Sequence, residues 1–209
     1  MIKVTLADNQ PVVHFGVQSY FKDHSEIKIA HIASHFNEVI PFLKSKGTQV
    51  LVMDFDLQGL DSVQTLKSLV REYPNTRILI YTSLSENMYA PNILKAGVAG
   101  FVHKNEKMQT LESAIIRIYK GEIVFSDSVS KSIALSAKLH KSERLYRKLS
   151  TRELEVLRYL SAGKKNHEIS GILGLNEKTI STYKLRLLNK LNVTNLVDLV
   201  NKAKTLEIL

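Results

Sequence analysis

An α/β domain followed by an all-α module is the fold class this 209-residue sequence predicts, and three observations predict it. Short β-branched apolar runs alternate with amphipathic stretches over residues 1–125, residues 148–209 carry helical periodicity alone, and the positive charge is concentrated in that second part. With 44% hydrophobic and 23% charged residues the chain has the composition of packed domains rather than of a disordered segment.

The elements follow in order. Lys3 to Ala7, Ile27 to Ile32, Val50 to Met53, Arg77 to Tyr81 and Gly100 to Val102 read as strands, and residues 14–22, 36–46, 61–72, 86–96 and 107–120 as the helices between and after them. Five βα units make a doubly wound parallel sheet of the flavodoxin-like kind, whose chemistry belongs where strands give way to loops at their carboxyl ends. Residues 1–122 are assigned to this domain and 123–147 to a Ser- and Lys-containing linker with a short helix near 129–139. Residues 148–209 form the helical module. There Ser150-Thr151-Arg152-Glu153 is a capping box opening a helix that stops at Gly163, Asn166 caps 167–173 ahead of Gly174, Asn176 caps a longer helix to Leu191, and Asn195 opens the last. The two middle helices, separated by about three residues, form a helix-turn-helix.

Charge narrows the function classes. The formal net charge is +9, distributed as +1 over 1–125, +3 over 126–147 and +5 over 148–209, so the helical module faces a polyanion. With no cysteine there is neither a disulfide framework nor a thiolate metal site, which suits a reducing cytoplasm. The apolar runs Val50 to Met53 and Ile78 to Tyr81 are far short of the ~20 residues a membrane span needs, and the amino terminus lacks the apolar stretch of a signal peptide. A cytoplasmic, membrane-independent protein is the expectation.

Four polar residues fall at strand ends. Asp54 as nucleophile can accept a phosphoryl group if Mg²⁺, ligated by Asp8, neutralises the oxygens while the Thr82 hydroxyl and the Lys104 ammonium hold the rest. Singly, each would be an ordinary strand-end or loop residue; four at the right strand ends point to one crevice. His31 and His35 are four residues apart, but at a strand end and a helix start, with no third ligand, so no metal site is expected there.

Ala7-Asp8-Asn9-Gln10-Pro11, Val52-Met53-Asp54-Phe55-Asp56-Leu57-Gln58-Gly59, Tyr81-Thr82-Ser83 and Lys95-Ala96-Gly97-Val98-Ala99-Gly100-Phe101-Val102-His103-Lys104 resemble the signature segments of response-regulator receiver domains. The resemblance implies that Asp54 is the phosphoacceptor, that Thr82 and Lys104 are the switch hydroxyl and the lysine, that Phe101 is the aromatic that rotates with Thr82, and that the backbone carbonyl of Asp56 completes the metal shell. Two departures stand out: Asn9 replaces the second of two adjacent acids, and Gln58 replaces a proline. An amide for a carboxylate removes a charge from the site of a dication, so weakened metal affinity is expected.

Leu149-Ser150-Thr151-Arg152-Glu153-Leu154-Glu155-Val156-Leu157, Asn166-His167-Glu168-Ile169-Ser170 and Lys178-Thr179-Ile180-Ser181-Thr182-Tyr183-Lys184 with Arg186-Leu187-Leu188 and Lys190-Leu191 resemble the LuxR-type helix-turn-helix of NarL/FixJ-class regulators, with the subgroup of BvgA, EvgA and FimZ most similar. Helical geometry supports this independently: at 100° per residue Ile180, Leu187 and Leu191 share one face, and Lys178, Ser181, Thr182, Leu185 and Asn189 the opposite one. By family position Ser181, Thr182 and Leu185 approach base edges. Lys178, Thr179, Lys184, Arg186 and Lys190 meet phosphates or the groove rim, and Lys164 and Lys165 the backbone at the preceding turn. Leu196, Val197, Leu199 and Val200 of the last helix are expected to serve partly as core and partly as a dimer contact.

The reading is a DNA-binding response regulator, not an enzyme beyond its own aspartyl phosphorylation and dephosphorylation. Its implied partners are double-stranded DNA, a sensor histidine kinase or phosphotransfer protein, a second copy or a heterodimer partner, and RNA polymerase. Asn9 motivates an alternative, a regulator independent of phosphorylation. A remoter one takes Asp54-Phe55-Asp56 as resembling the D-x-D of haloacid-dehalogenase-type phosphatases, although two βα units precede it and no G-D-x-x-x-D follows.

Overall fold

The computed structural model describes residues 1–45, 47–60, 62–126, 149–206 and 208. The described residues fall into two units, each with its own core. The helix expected near 129–139 lies outside the described residues.

The first unit is a five-stranded parallel sheet: β1 (Ile2–Ala7), β2 (Ile27–Ala33), β3 (Val50–Met53), β4 (Arg77–Thr82) and β5 (Gly100–His103), in the order β2-β1-β3-β4-β5. Its helices are α1 (Pro11–Phe21), α2 (Phe36–Lys44), α3 (Val63–Glu72), α4 (Glu86–Lys95) and α5 (Met108–Tyr119). Because neighbouring side chains along a strand alternate faces, Ile2, Val4, Leu6, Val50, Val52, Leu79 and Tyr81 pack with Val17 and Phe21 of α1 and with Leu111, Ala114, Ile115 and Ile118 of α5. Leu51, Met53, Ile78 and Ile80 are directed to the opposite face and are equally buried.

Helix starts differ from expectation where local chemistry decides them. α1 begins three residues earlier than predicted, at Pro11, because a proline in the first turn lacks only an N–H that has no helical partner there and its fixed φ suits the helix. α3 begins after Ser62, whose hydroxyl accepts from the Thr65 N–H at 3.2 Å. His31 stacks on Phe42 with ring centroids 4.2 Å apart, and His35 caps α2 by accepting from the Asn37 N–H.

The sheet continues past residue 122. Val124, assigned to the linker, lies parallel to β5, donating its N–H to the Ala99 carbonyl and accepting from the Phe101 N–H, both at 2.8 Å. The close approach depends on Gly100, where a Cβ would sit 2.8 Å from Leu79 Cδ1 and 3.0 Å from the Val124 oxygen.

The second unit contains α6 (Thr151–Ser161), α7 (Asn166–Leu173), α8 (Glu177–Leu191) and α9 (Leu196–Thr205), packed around Leu154, Leu157, Ile169, Ile180, Leu187 and Leu199. α7 starts one residue earlier than predicted. Asn166 is its first helical residue rather than its cap, because the Glu168 carboxylate accepts from the Lys165 N–H at 2.8 Å and closes the turn at Lys165. Gly174, with φ +62°, ends α7 in the left-handed region, and Asn176 caps α8 by accepting from the Lys178 N–H. No helix among the described residues is long and apolar enough to cross a membrane.

Gly100→Ala should lower the stability of the first unit by about 1–3 kcal/mol, the usual range for overpacking, and thermal melting will show it. Melting at the wild-type temperature would mean that Val124 and Leu79 yield without cost.

Candidate functional site: an acidic pocket and an exposed recognition face

The switch point of the sheet lies between β1 and β3, since the chain leaves β1 toward β2 on one side and returns to β3 on the other. The sheet ladder places the residues there. Asp8 follows β1 and donates its N–H to Ala33; Asp54 follows β3 and donates to Ala7; Lys104 follows β5 and donates to Thr82, the last residue of β4. Main-chain bonds of 2.8–3.0 Å thus tie the ends of all five strands to their neighbours.

The side chains then converge. Lys104 Nζ lies 2.6 Å from Asp54 Oδ2 and 2.6 Å from Asp8 Oδ2. Asp54 Oδ1 accepts from the Asp56 N–H at 3.0 Å and Asp8 Oδ1 from the Gln10 N–H at 2.8 Å. Asp8 is 0% and Asp54 4% exposed. Burial, the largest single influence on Lys104, favours its neutral form, but the two carboxylates together outweigh it and hold the ammonium pKa above the ordinary lysine value. Burial also raises the Tyr81 phenol, partly offset by the Lys104 charge. Thr82, whose carbonyl holds the Lys104 N–H, is buried, and its Oγ1 accepts from the Leu84 N–H at 3.4 Å. Phe101 is buried in β5, its N–H held by Val124.

Two carboxylates against one ammonium leave the pocket one negative charge, and Asp8 Oδ2 has ionic contact with Lys104 but no aligned hydrogen bond. A buried, under-bonded carboxylate oxygen is the kind of ligand a hard cation takes. The Asp56 side chain and Asn9 are exposed at the rim. Among the described residues no group of three His, Asp or Glu side chains converges. Asp54 follows the third strand, and that position is at odds with the phosphatase alternative, which requires the first.

In the helical unit, Lys178, Ser181, Thr182, Leu185, Arg186 and Asn189 are all exposed on α8, Leu185 at 59%, while Ile180, Leu187 and Leu191 are buried. Thr179 and Lys184 are half-buried at the margins, and Lys164 and Lys165 are exposed ahead of α7, Lys164 pairing with Glu168 at 3.5 Å. Ser181 Oγ accepts from Asn166 Nδ2 at 3.1 Å and so joins the start of α7 to α8. Lys190 is placed differently from expectation. Its Nζ lies 2.6 Å from Glu153 Oε2, because a carboxylate only 2% exposed draws the nearest cation to itself. The same oxygen accepts from the Ser150 N–H at 2.6 Å and the Ser150 hydroxyl at 2.9 Å. Burial alone would push the Glu153 carboxyl up; Lys190 and the Ser150 donors together hold it below the ordinary carboxylate range. The sequence showed Glu153 as a capping residue, but its link to a lysine 37 positions later has no local signal.

A carboxylate crevice at the switch point of a doubly wound sheet, followed in the same chain by an exposed helix-turn-helix, defines the class of DNA-binding response regulators. The chain belongs to that family: the model of the response regulator receiver domain matches residues 4–116, and that of the bacterial regulatory proteins, luxR family, matches residues 147–203. It is 31% identical over 206 residues to the fimbriae Z protein of Salmonella typhimurium, covering 99% of this chain and 98% of that one. It is 29% identical over 204 residues to the response regulator UvrY of Escherichia coli K12, with 97% and 94% covered. Among solved structures, RcsB from Salmonella enterica serovar Typhimurium, bound to promoter P1flhDC in the presence of the phosphomimetic BeF3-, superposes with a TM-score of 0.80 at 26% identity, covering 98% of each chain.

Glu153→Ala should destabilise the helical unit by about 3 kcal/mol, the cost of stranding a partly buried cation. Because the folded pKa of Glu153 is depressed, its stabilisation is present above the unfolded carboxyl range and is lost as pH falls through the folded value. Denaturation midpoints of wild type and variant should therefore converge in acid. A constant gap down to pH 2 would contradict the pairing.

Proposed function

We propose that this regulator is switched by phosphorylation of Asp54, with the phosphoryl group supplied by a histidine kinase or a histidine-bearing phosphotransfer protein. The observation that carries the reading is the buried Asp54 carboxylate, held 2.6 Å from the Lys104 ammonium, with buried Thr82 ending the strand between theirs. An Asp54 oxygen forms a bond to phosphorus as the P–N bond of the phosphohistidine breaks, the electron pair leaving on the donor imidazole. Lys104 and Thr82 receive the phosphoryl oxygens, and the Asp56 N–H remains bonded to the carboxyl group. Asp8, Asp54 and the backbone carbonyl of Asp56 would hold Mg²⁺, which when bound neutralises the phosphoryl charge; with Asn9 in place of an acid the site binds it weakly. The receiver catalyses only its own phosphorylation and dephosphorylation.

Modification draws Thr82 toward the phosphoryl group, Phe101 follows, and the altered receiver surface releases or dimerises the DNA-binding half. The partner is double-stranded DNA in the cytoplasm, bound by a homodimer whose two α8 helices enter successive major grooves. Val197, 69% exposed on α9, with Leu196 and Val200 beside it, supplies the contact between modules. RNA polymerase is the machinery a promoter-bound regulator addresses. The second reading, a factor governed by a dimer or heterodimer partner without phosphorylation, rests on Asn9.

Incubation of the full chain with Mg²⁺ and a small acyl phosphate should add one phosphoryl group by intact mass, and Asp54→Asn should add none. An unmodified wild type favours the second reading. On DNA, Arg186→Ala should weaken binding across sequences and lower the magnitude of the log–log salt slope by about 1. Leu185→Ala should cost about 1 kcal/mol on the cognate site only. Equal losses on cognate and random DNA for Leu185→Ala would remove it from base contact.

A further inference from the structure

Resting on the phosphoacceptor reading of Asp54, we propose that His103 is a positioning residue for the reaction, setting the Thr82 hydroxyl as a donor to the incoming phosphoryl group. His103 is the last residue of β5, immediately before Lys104, and its ring reaches the loop after β4, where Nε2 lies 3.0 Å from the Ser83 carbonyl oxygen. The other ring nitrogen, Nδ1, accepts from the Asn105 N–H at 3.1 Å. A nitrogen that accepts an N–H carries no proton, so in the neutral ring the proton sits on Nε2 and is donated to Ser83. The imidazole is therefore held in one tautomer by the loop on one side and directed at the loop on the other.

What that bond controls is a peptide plane. The Ser83 carbonyl and the Leu84 N–H belong to one trans peptide group and point in opposite directions from it. Fixing the carbonyl toward His103 aims the Leu84 N–H at Thr82 Oγ1, the acceptor 3.4 Å away. A hydroxyl has one proton and two lone pairs; with a lone pair committed to Leu84, its proton is left to donate. Thr82 is 1% exposed, and no acceptor for that proton is found among the described residues. A buried hydroxyl with an unspent donor, at the end of the strand between those that carry Asp54 and Lys104, is prepared for an oxygen that arrives with the phosphoryl group. His103 also joins the two loops that supply the donors, since the Lys104 N–H bonds to the Thr82 carbonyl at 2.8 Å on the same seam.

The test is the rate at which the full chain gains phosphoryl mass from a small acyl phosphate at saturating Mg²⁺, for wild type, His103→Leu, His103→Gln, Thr82→Ala and the Thr82→Ala/His103→Leu double variant. His103→Leu should be about five-fold slower, the rate equivalent of one ordinary hydrogen bond, with a melting temperature close to wild type. His103→Gln, whose amide N–H can still donate to Ser83, should recover most of the rate. In the Thr82→Ala background His103→Leu should cost nothing further, because the hydroxyl it positions is gone. A merely structural role would slow both backgrounds alike. The proposal is overturned if His103→Leu reacts at the wild-type rate, if Gln is as slow as Leu, or if the two losses multiply. A wild type that stays at its unmodified mass overturns the phosphoacceptor reading, and this inference with it.

Discussion

One ammonium serving two buried carboxylates is the contact on which the receiver depends. Asp8 and Asp54, both buried, close the carboxyl ends of β1 and β3, and Lys104, from the end of β5, lies 2.6 Å from each. Three strand ends are thereby tied through a single nitrogen atom. The arrangement is balanced only while both acids compete equally for it. A phosphoryl group on Asp54 would replace one carboxylate charge by up to two phosphoryl charges, a net gain of about one, and would draw Lys104 toward itself, leaving the under-bonded Asp8 Oδ2 in need of another cation. Chemistry at Asp54 therefore redistributes charge across the whole crevice, and the strand ends that carry Thr82 and Phe101 border the same redistribution.

The helical unit uses a comparable device for a different end. Glu153 collects Ser150 and Lys190 on one buried oxygen, tying the start of α6 to the last turn of α8. With Asn166 bonded to Ser181 at the other end, the recognition helix is held at both ends before any DNA is present. Preorganisation of this kind lowers the ordering cost of binding, so affinity need not be spent on orienting the helix.

Much of this was legible from residues read locally. The strand runs, the capping residues Ser150, Asn176 and Asn195, and the glycine stops at Gly163 and Gly174 depend on neighbours within a few positions, and the period of α8 alone separated Ile180 and Leu187 from Lys178 and Leu185. The acids and Lys104 were visible as strand-end residues because a parallel sheet brings such ends together. What escaped were pairings set by tertiary geometry. Lys190 reads as one more basic residue on a recognition helix until the buried Glu153 is found beside it. His103, just past the strand expected at Gly100 to Val102, shows no role in sequence until the tautomer imposed by Asn105 is seen. The start of α1 was misread for a different reason, because periodicity begins after the turn that Pro11 initiates.

Val124 has a consequence for dissecting the chain. Its two main-chain bonds occupy the outer side of β5, which is otherwise the terminal strand of the sheet. A receiver fragment cut at the end of α5 would expose those β5 groups, and an open strand edge is a template for pairing with another chain. Self-association of such a fragment would then report a severed edge rather than a property of the full chain, so the smallest faithful receiver is one that keeps the root of its own linker.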